Sequence, residues 1–440
     1  MYYQPEIETM SRRDLEALQL ECLKKSLIYC YERIDFYKKS FDIAGADPYS
    51  IESLADIRKF PFTVKQDLRD HYPFGLWAVD KRDAVRVHAS SGTTGQATVV
   101  GYTAHDLDVW ADCLARDIAS TGHDEHAIVQ VAYGYGLFTG GLGADNGALK
   151  MQCLTIPMSS GNSQRQIQIM RDFESDVLCC TPSYALNLAD KAIEMGYDPA
   201  TEFSLSAGIL GAEPCSENMR QEIERKLGIT VHDIYGLSEV IGPGVACECR
   251  EQNGLHVAED HFLIEIIDPE TLEPVPDGEW GEIVLTSLDR EASPIIRYRT
   301  RDISRILSGE CPCGITHRRM DRLQGRTDDM LIIRGVNVFP SQIEQVITQF
   351  EEVTTHYQII LSTVGTLDHV ELQIETVPEF EFDEIRQVEQ LKKRIGDALK
   401  GNLQIKVDLK LVGPLTIARS EGKAKRVIDN REVKNAWEGR

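Results

Sequence analysis

The sequence AIVQVA at residues 127–132 is a short apolar run of the kind that forms a buried strand. Similar runs follow, CLTIP at 153–157, VLCC at 177–180 and SAGIL at 206–210, with helix-forming segments between them. Strands that alternate with helices predict a mostly parallel sheet covered by helices. We therefore expect an α/β fold, followed by a strand-rich part that includes Phe262–Ile267 and Gly281–Leu285.

The last hundred or so residues have a different pattern. Pro340 and Ser341 predict the start of a helix, and Ser341 with Glu344 has the spacing of a capping box. Alternating apolar residues after it predict strands. We expect a small mobile α+β C-terminal domain, and the polar stretch 325–329 places the boundary between domains 1–327 and 328–440.

Composition restricts the classes of function. The 440 residues carry a net charge of −23, which argues against nucleic acid as a partner. The sequence contains no apolar run of about 18 residues and no signal-peptide pattern at its start, so we expect no membrane association and a cytoplasmic location. The eleven cysteines fit free thiols or metal ligands better than a disulfide framework.

A glycine- and hydroxyl-rich loop lies between two strand-like runs, 84–88 and 98–102. Its backbone N–H groups and hydroxyls suit phosphate oxygens. A P-loop would need Gly-Lys-Ser/Thr before a helix, whereas Gln96 follows this loop, so a P-loop kinase is disfavoured. A polar hairpin turn is the other interpretation. The loop consists of Ser90, Ser91, Gly92, Thr93, Thr94 and Gly95.

Two further clusters could carry chemistry. Tyr235–Glu239 follows the apolar run 230–234, where a carboxylate can hold Mg²⁺ and a tyrosine can stack on a purine. Ser420–Arg426 places Lys423 on a glycine-containing loop, where it could reach developing negative charge. Taken singly, these clusters also fit an ordinary turn and a solvated basic tail.

Together and in this order, the motifs resemble the adenylate-forming superfamily of acyl-CoA synthetases, and within it the phenylacetate–CoA ligases. The resemblance covers nearly the whole chain. Its motifs are Ser90–Gly95, Gly211–Pro214, Tyr235–Glu239, Tyr298–Asp302, Gly325–Asp328, Gly335–Pro340 and Gly422-Lys423.

The resemblance implies ATP-dependent ligation of phenylacetate or a related aryl acid to coenzyme A through an acyl-adenylate. It makes Lys423 the catalytic lysine, Glu239 the Mg²⁺ ligand and Asp328 the hinge. The implied ATP-binding residues are Ser90, Ser91, Gly92, Thr93, Thr94, Gly95, Gly211, Ala212, Glu213, Pro214, Tyr235, Gly236, Asp302 and Arg326. The implied CoA-binding residues are Gly335, Val336 and Asn337. A homodimer is common in such families.

The sequence departs from the family pattern at one position. A lysine usually follows the phosphate loop, and Gln96-Ala97-Thr98 takes its place here. The change removes one positive charge near the triphosphate, although glutamine still donates hydrogen bonds.

The acid is expected beside Tyr133–Gly141, where aromatic residues alternate with glycines. Tyr135 and Phe138 are candidates to pack on an aryl ring, although core aromatics would show the same pattern. By resemblance, Gly211 and Ile234 also border the acyl substrate.

Cysteines and histidines recur in two segments, 247–256 and 311–317. Thiolates and imidazoles suit a tetrahedral structural Zn²⁺, and buried free cysteines are the other interpretation. The preferred ligands are Cys249, His256, Cys311 and Cys313, with Cys247 and His317 in reserve.

Two alternatives keep part of this interpretation. The adenylated acid could pass to a carrier protein instead of CoA, or the protein could be a non-enzymatic sensor of nucleotide or acid. Lys423, Glu239 and Asp302 argue against the sensor, because a sensor need not keep all three roles filled.

Overall fold

The computed structural model describes residues 1–90, 97–327, 331–333, 336–364, 367–380, 382, 384–403, 407–419 and 426–430. Its helices are α1 (Pro5–Glu8), α2 (Arg12–Arg33), α3 (Asp35–Ala44), α4 (Lys65–Asp70), α5 (Ala104–Ser120), α6 (Thr139–Lys150), α7 (Ser163–Asp172), α8 (Pro182–Glu194), α9 (Pro199–Glu202), α10 (Glu217–Leu227), α11 (Pro340–Ile347) and α12 (Ile385–Leu403), with a 3-10 helix at Leu54–Lys59.

The strands up to the end of the larger domain are β1 (Arg86–Ala89), β2 (Val99–Tyr102), β3 (Ile128–Val131), β4 (Leu154–Pro157), β5 (Val177–Cys180), β6 (Ala207–Gly211), β7 (Thr230–Leu237), β8 (Gly242–Glu248), β9 (Leu255–Val257), β10 (Phe262–Ile267), β11 (Gly281–Ser287), β12 (Tyr298–Ser304), β13 (Ile306–Leu307), β14 (Arg319–Met320) and β15 (Gly325–Arg326). The remaining strands are β16 (Leu331–Ile333), β17 (Val336–Val338), β18 (Val353–Val364), β19 (Leu367–Thr376), β20 (Asp408–Val412) and β21 (Val427–Asp429).

The central sheet has the strand order β13-β14-β9-β8-β7-β6-β5-β3-β4. Strands β4, β3, β5, β6 and β7 run parallel, as the alternating apolar runs predict. Beyond β7 the pairing becomes antiparallel, because the chain turns back at Gly236–Gly242 directly into β8. The α/β fold is therefore confirmed, and its sheet is mixed.

Helices cover both faces of this sheet. One face packs on α5 and α6 around the fully buried Trp110, and the other packs on α7, α8 and α10 around the buried Tyr184. Local signals define the helix ends: the Thr181 side chain caps α8 ahead of Pro182, and Gly228, with φ 70°, ends α10 in the left-handed region. The predicted strand-rich region forms the second sheet, β10-β11-β12-β15, whose strands pair antiparallel.

The smaller C-terminal domain contains the sheet β20-β19-β18-β21, packed against α11 and α12. Helix α11 begins at Pro340 as predicted, but the expected capping box at Ser341 is wrong. The cap position is Phe339, and the Ser341 hydroxyl instead donates to the Gln324 carbonyl at 2.6 Å. The Glu344 carboxylate accepts from the Ser216 hydroxyl of the larger domain at 2.5 Å.

Candidate active site

The hairpin β1–β2 holds both ends of the predicted phosphate loop. Ser90 Oγ accepts from the Thr98 N–H at 3.0 Å, and the two hydroxyls lie 2.8 Å apart. Residues 91–96, with Ser91, Gly92, Thr93, Thr94 and Gly95, lie outside the described residues. The described part shows where the loop starts and ends, next to the end of β7.

Glu239 lies just beyond β7, at this same place. The residue is 6% exposed, and its Oε1 lies 3.3 Å from the Thr98 hydroxyl. The Lys65 Nζ approaches the same oxygen at 3.0 Å. A buried carboxylate beside both ends of a phosphate loop is suited to hold a divalent cation together with phosphate oxygens.

Tyr235, Asp302 and Arg326 come together from three strands. The Tyr235 hydroxyl donates to Asp302 Oδ2 at 2.7 Å, and Arg326 donates to Oδ1 at 3.0 Å. Burial and the Asp302 charge raise the pKa of Tyr235 well above its usual value, so the phenol keeps its proton and remains a donor. A buried carboxylate that other residues hold in place can accept from vicinal hydroxyls such as those of a ribose.

The segment Gly211–Pro214 leaves the end of β6 beside β7. A side chain at Gly211 would place its Cβ 2.3 Å from the Ile234 carbonyl oxygen, so glycine is required for the two strands to approach. Ala212 has φ 70°, and the Glu213 carboxylate accepts from the Ser183 N–H at 2.6 Å. Gly236 has the same constraint as Gly211, because its Cβ would lie 1.9 Å from the Gly242 carbonyl oxygen.

An apolar cavity lies behind this segment, between α5, α6 and the parallel strands. Ile234, which the sequence places beside the acyl substrate, is part of its wall. Tyr135 and Phe138 are not among the lining residues. The cavity is lined by Leu114, Ile118, Tyr133, Ala144, Cys179, Ile209, Ile234 and Pro243.

Tyr135 and Phe138 instead belong to the loop that leads to α6. Tyr135 is partly buried against the main core, and Phe138 is 39% exposed. The Leu137 carbonyl between them accepts from the Ala89 N–H at 3.0 Å and contacts the His88 ring at 3.1 Å. The loop is thereby attached to the strand that precedes the phosphate loop.

A separate cluster joins Cys249, His256, Cys311 and Cys313, whose ligand atoms all lie within 4.8 Å of one another. The sulfurs of Cys249 and Cys311 are 3.7 Å apart, and Cys313 Sγ is 3.4 Å from His256 Nε2. His256 directs its other ring nitrogen to the His317 carbonyl at 3.2 Å. The Cys249 thiol donates to Cys313, which lowers the pKa of Cys313 and raises that of Cys249.

The two reserve ligands are not part of this cluster. Cys247 is buried in the main core, with its thiol directed to the Glu248 carbonyl at 3.5 Å. The His317 ring contacts the backbone carbonyls of Val257 and Ile7 at 3.0 and 3.2 Å.

Several predicted residues cannot be placed. Lys423, Asp328 and Gly335 lie outside the described residues, and Val336 and Asn337 are described only as part of β17. Sequence reasoning in turn missed Lys65, Thr98 and most of the cavity wall. Lys65 follows an ordinary Pro-Phe-Thr-Val stretch, and no local signal links it to Glu239.

Among the described residues, no helix combines the length and the apolar character that crossing a bilayer requires.

Comparison with known proteins gives the same assignment along the whole chain. Residues 77–288 match the AMP-binding enzyme family, and residues 335–431 match the AMP-binding enzyme C-terminal domain. The phenylacetate-coenzyme A ligase of Thermus thermophilus is 47% identical, over 98% of this chain and all of the relative. That of Escherichia coli is 48% identical, over 98% of each chain.

Solved structures of related ligases align over nearly the whole chain. A 2-hydroxyisobutyryl-CoA ligase in the post-adenylation state, bound to 2-HIB-AMP, is 29% identical with a TM-score of 0.92, over 98% of this chain and 93% of that chain. The same ligase in the thioesterification state, with 2-HIB-AMP and CoA, aligns with a TM-score of 0.72 over 97% of this chain and 92% of that chain. At 47–48% identity over nearly its full length, this chain belongs to the phenylacetate–coenzyme A ligase family of AMP-binding enzymes.

Proposed function

We propose that this enzyme, an AMP-forming acid–CoA ligase, joins phenylacetate or a related aryl acid to coenzyme A through an acyl-adenylate. The observation that carries the proposal is the position of two consecutive residues. Ile234 lines the apolar cavity, and Tyr235 donates to Asp302 in the adjoining polar site. An acid bound beside Ile234 and a nucleotide ribose bound at Asp302 would meet at the end of β7.

In the first half-reaction, a carboxylate oxygen of the acid attacks the α-phosphorus of ATP. The new P–O bond forms as the bond to pyrophosphate breaks, and negative charge grows on the leaving oxygens. Asp302 and Arg326 would hold the ribose, and Gly211–Pro214 with Tyr235 and Gly236 would flank the adenine. Residues 90–95 would bind the phosphates, and Lys423 would stabilise the developing charge.

Glu239 is the residue we propose for Mg²⁺, which supplies positive charge to the phosphate oxygens when it is bound. Its carboxylate is a hard oxygen ligand, and the neighbouring Thr98 hydroxyl, 3.3 Å away, adds a second oxygen. The donor set therefore fits this cation.

In the second half-reaction, the CoA sulfur attacks the acyl carbon and the bond from that carbon to AMP breaks. The thiol proton leaves to solvent. Lys423 is needed only in the first half, so we propose that domain 328–440 rotates on domain 1–327 about Asp328. Gly335, Val336 and Asn337 would then border the pantetheine path.

We propose an aryl acid because relatives 47–48% identical over nearly the full chain are phenylacetate-coenzyme A ligases. Tyr135 and Phe138 would contact the acid from the loop that leads to α6. The apolar cavity beside Ile234 has a volume of about 10 Å³ and would have to widen to admit a ring.

We further propose that Cys249, His256, Cys311 and Cys313 hold a structural Zn²⁺. Tetrahedral ligands at about 2.3 Å for sulfur and 2.0 Å for nitrogen stand about 3.5 to 3.8 Å apart. The separations of 3.7 Å for the two sulfurs and 3.4 Å for sulfur and nitrogen agree with this. The hydrogen bond from His256 to the His317 carbonyl directs the other ring nitrogen at the thiols. Four protein ligands leave no open position for a catalytic water.

We propose that the enzyme is a cytoplasmic homodimer without membrane partners. Its net charge of −23 disfavours nucleic acid as a partner. Sedimentation analysis would test the dimer.

The decisive assay is pyrophosphate release with ATP, Mg²⁺ and a panel of aryl and aliphatic acids, with and without CoA. We expect turnover with phenylacetate-like acids, AMP as product and a requirement for CoA. Lys423→Ala should abolish ATP–pyrophosphate exchange, while the exposed Lys410→Ala should not. Repeated rounds of pyrophosphate release without CoA, or release of ADP, would contradict the proposal.

A further inference from the structure

A cation reaches the predicted phosphate site from the start of α4. The Lys65 ammonium lies 3.0 Å from Glu239 Oε1, and the side chains are 39% and 7% exposed, respectively. The lysine therefore covers a buried carboxylate from the solvent side. A small cavity beside Glu239 is bordered by Leu68 and His71 of the same helix region.

The same carboxylate oxygen also connects to both ends of the phosphate loop. The Thr98 hydroxyl is 3.3 Å from Glu239 Oε1, and it is 2.8 Å from the Ser90 hydroxyl. Ser90 and Thr98 flank residues 91–97. Lys65 is therefore linked to the base of this loop through the Glu239 carboxylate.

Adenylation requires positive charge at this site. Residue 96 is glutamine, so the sequence directly after the loop supplies no positive charge. Adenylation expels pyrophosphate, whose leaving oxygens gain charge as the P–O bond breaks. A flexible lysine at the edge of the site can supply that charge from another part of the chain.

We infer that Lys65 binds the pyrophosphate oxygens of ATP and stabilises the leaving group, replacing the cation that position 96 lacks. This role rests on the proposed function. Lys65 neutralises Glu239 through the 3.0 Å ion pair. When Glu239 binds Mg²⁺, it no longer pairs with the Lys65 ammonium, and the ammonium then contacts the phosphates. An ordinary half-exposed ion pair would stabilise the fold by little and would have no such role.

The test compares Lys65→Ala and Lys65→Arg with Lys59→Ala, a control lysine that is 59% exposed and paired with Asp56. We measure ATP–pyrophosphate exchange, the KM for ATP and for phenylacetate, and thioester formation from synthetic phenylacetyl-adenylate and CoA. Lys65→Ala should lower kcat/KM for ATP by about 10- to 100-fold, the usual range for one charged hydrogen bond. Lys65→Arg should restore most of the loss.

Thioester formation from the preformed adenylate and the KM for phenylacetate should stay within about twofold of wild type, because neither involves pyrophosphate. Unchanged exchange in Lys65→Ala, or an equal loss in both half-reactions, would overturn the assignment of Lys65. If the wild-type protein activates no acid, the proposed function fails. Calorimetry of Mg²⁺·ATP binding then tests Lys65 by itself: weaker binding by Lys65→Ala supports its phosphate contact, and equal binding overturns it.

Discussion

The Tyr235 phenol donates a 2.7 Å hydrogen bond to the Asp302 carboxylate. Arg326 contacts the other carboxylate oxygen at 3.0 Å, and Asp302 is only 4% exposed. The carboxylate is thus held by two side chains in a fixed orientation. Such an arrangement reduces the side-chain entropy that Asp302 would otherwise lose when it accepts from a bound ribose.

We expect Asp302→Asn to raise the KM for ATP by about 10- to 100-fold, because the charged acceptor of the ribose hydroxyls is lost. Tyr235→Phe should raise it less, since the carboxylate remains. The KM for CoA should not change. Steady-state kinetics with varied ATP measures this effect, and Asp268→Asn, on an exposed turn, is the control. Equal KM values in Asp302→Asn and wild type would remove Asp302 from the ATP site.

The cysteine cluster can be tested by metal content. Purified protein should contain one zinc per chain, and Cys249→Ala should lose it. The melting temperature should then fall by at least about 5 °C, because metal binding contributes directly to folding. Cys247→Ala is a matched control, since this buried thiol two residues away lies outside the cluster. Zinc loss from both variants, or from neither, would contradict the assignment of ligands.

Polar contacts between the domains predict a kinetic effect. Asn218 Nδ2 donates to the Thr348 hydroxyl at 2.5 Å, beside the contact between Ser216 and Glu344. Because these bonds join the two domains in the arrangement described above, which we propose serves adenylation, Asn218→Ala should slow adenylation by about two- to tenfold, the worth of one neutral hydrogen bond.

Thioester formation from preformed adenylate should be unchanged or faster in Asn218→Ala, because we propose that this step uses a rotated arrangement of the domains. Single-turnover kinetics of each half-reaction would measure this. The neighbouring exposed Gln349→Ala is the control. Equal slowing of both half-reactions would show that Asn218 acts on general stability instead of on the domain arrangement.

The parts of the fold that could be predicted from sequence were specified locally. The parallel strands have apolar runs, and α11 begins at a proline, so short windows were sufficient. The antiparallel extension β8-β9-β14-β13 was not predicted, because it depends on pairing between β9 and β14, which are distant in sequence. Its short strands also carry little periodicity.

The candidate site shows the same limit. Tyr235, Asp302 and Arg326 could be grouped only through the resemblance to a family, and the cysteine cluster through ligand chemistry. Neither a family resemblance nor ligand chemistry indicated the contact between Lys65 and Glu239. A lysine at the start of a short surface helix usually faces solvent. The expected Ser341 cap failed because the chain uses that hydroxyl to bind the Gln324 carbonyl.

Asp117 provides a prediction about pH. This carboxyl group is buried in α5, and burial raises its pKa to about 8, with the nearby Glu8 charge acting in the same direction. The folded protein therefore holds this proton between pH 4 and 8, whereas the unfolded chain releases it near pH 4. Stability must accordingly fall as pH rises through this window, by a few kcal/mol at most.

Asp117→Asn keeps the shape of the protonated side chain and removes its ionisation. The melting temperature of this variant should exceed that of wild type by a margin that grows from pH 5 to pH 8 and levels off above it. Differential scanning fluorimetry across this range measures the margin. Asp108→Asn, on the same helix with a side chain 64% exposed, should give a difference from wild type that does not change with pH. A constant margin for Asp117→Asn would mean that the carboxylate is already ionised in the folded protein at pH 5.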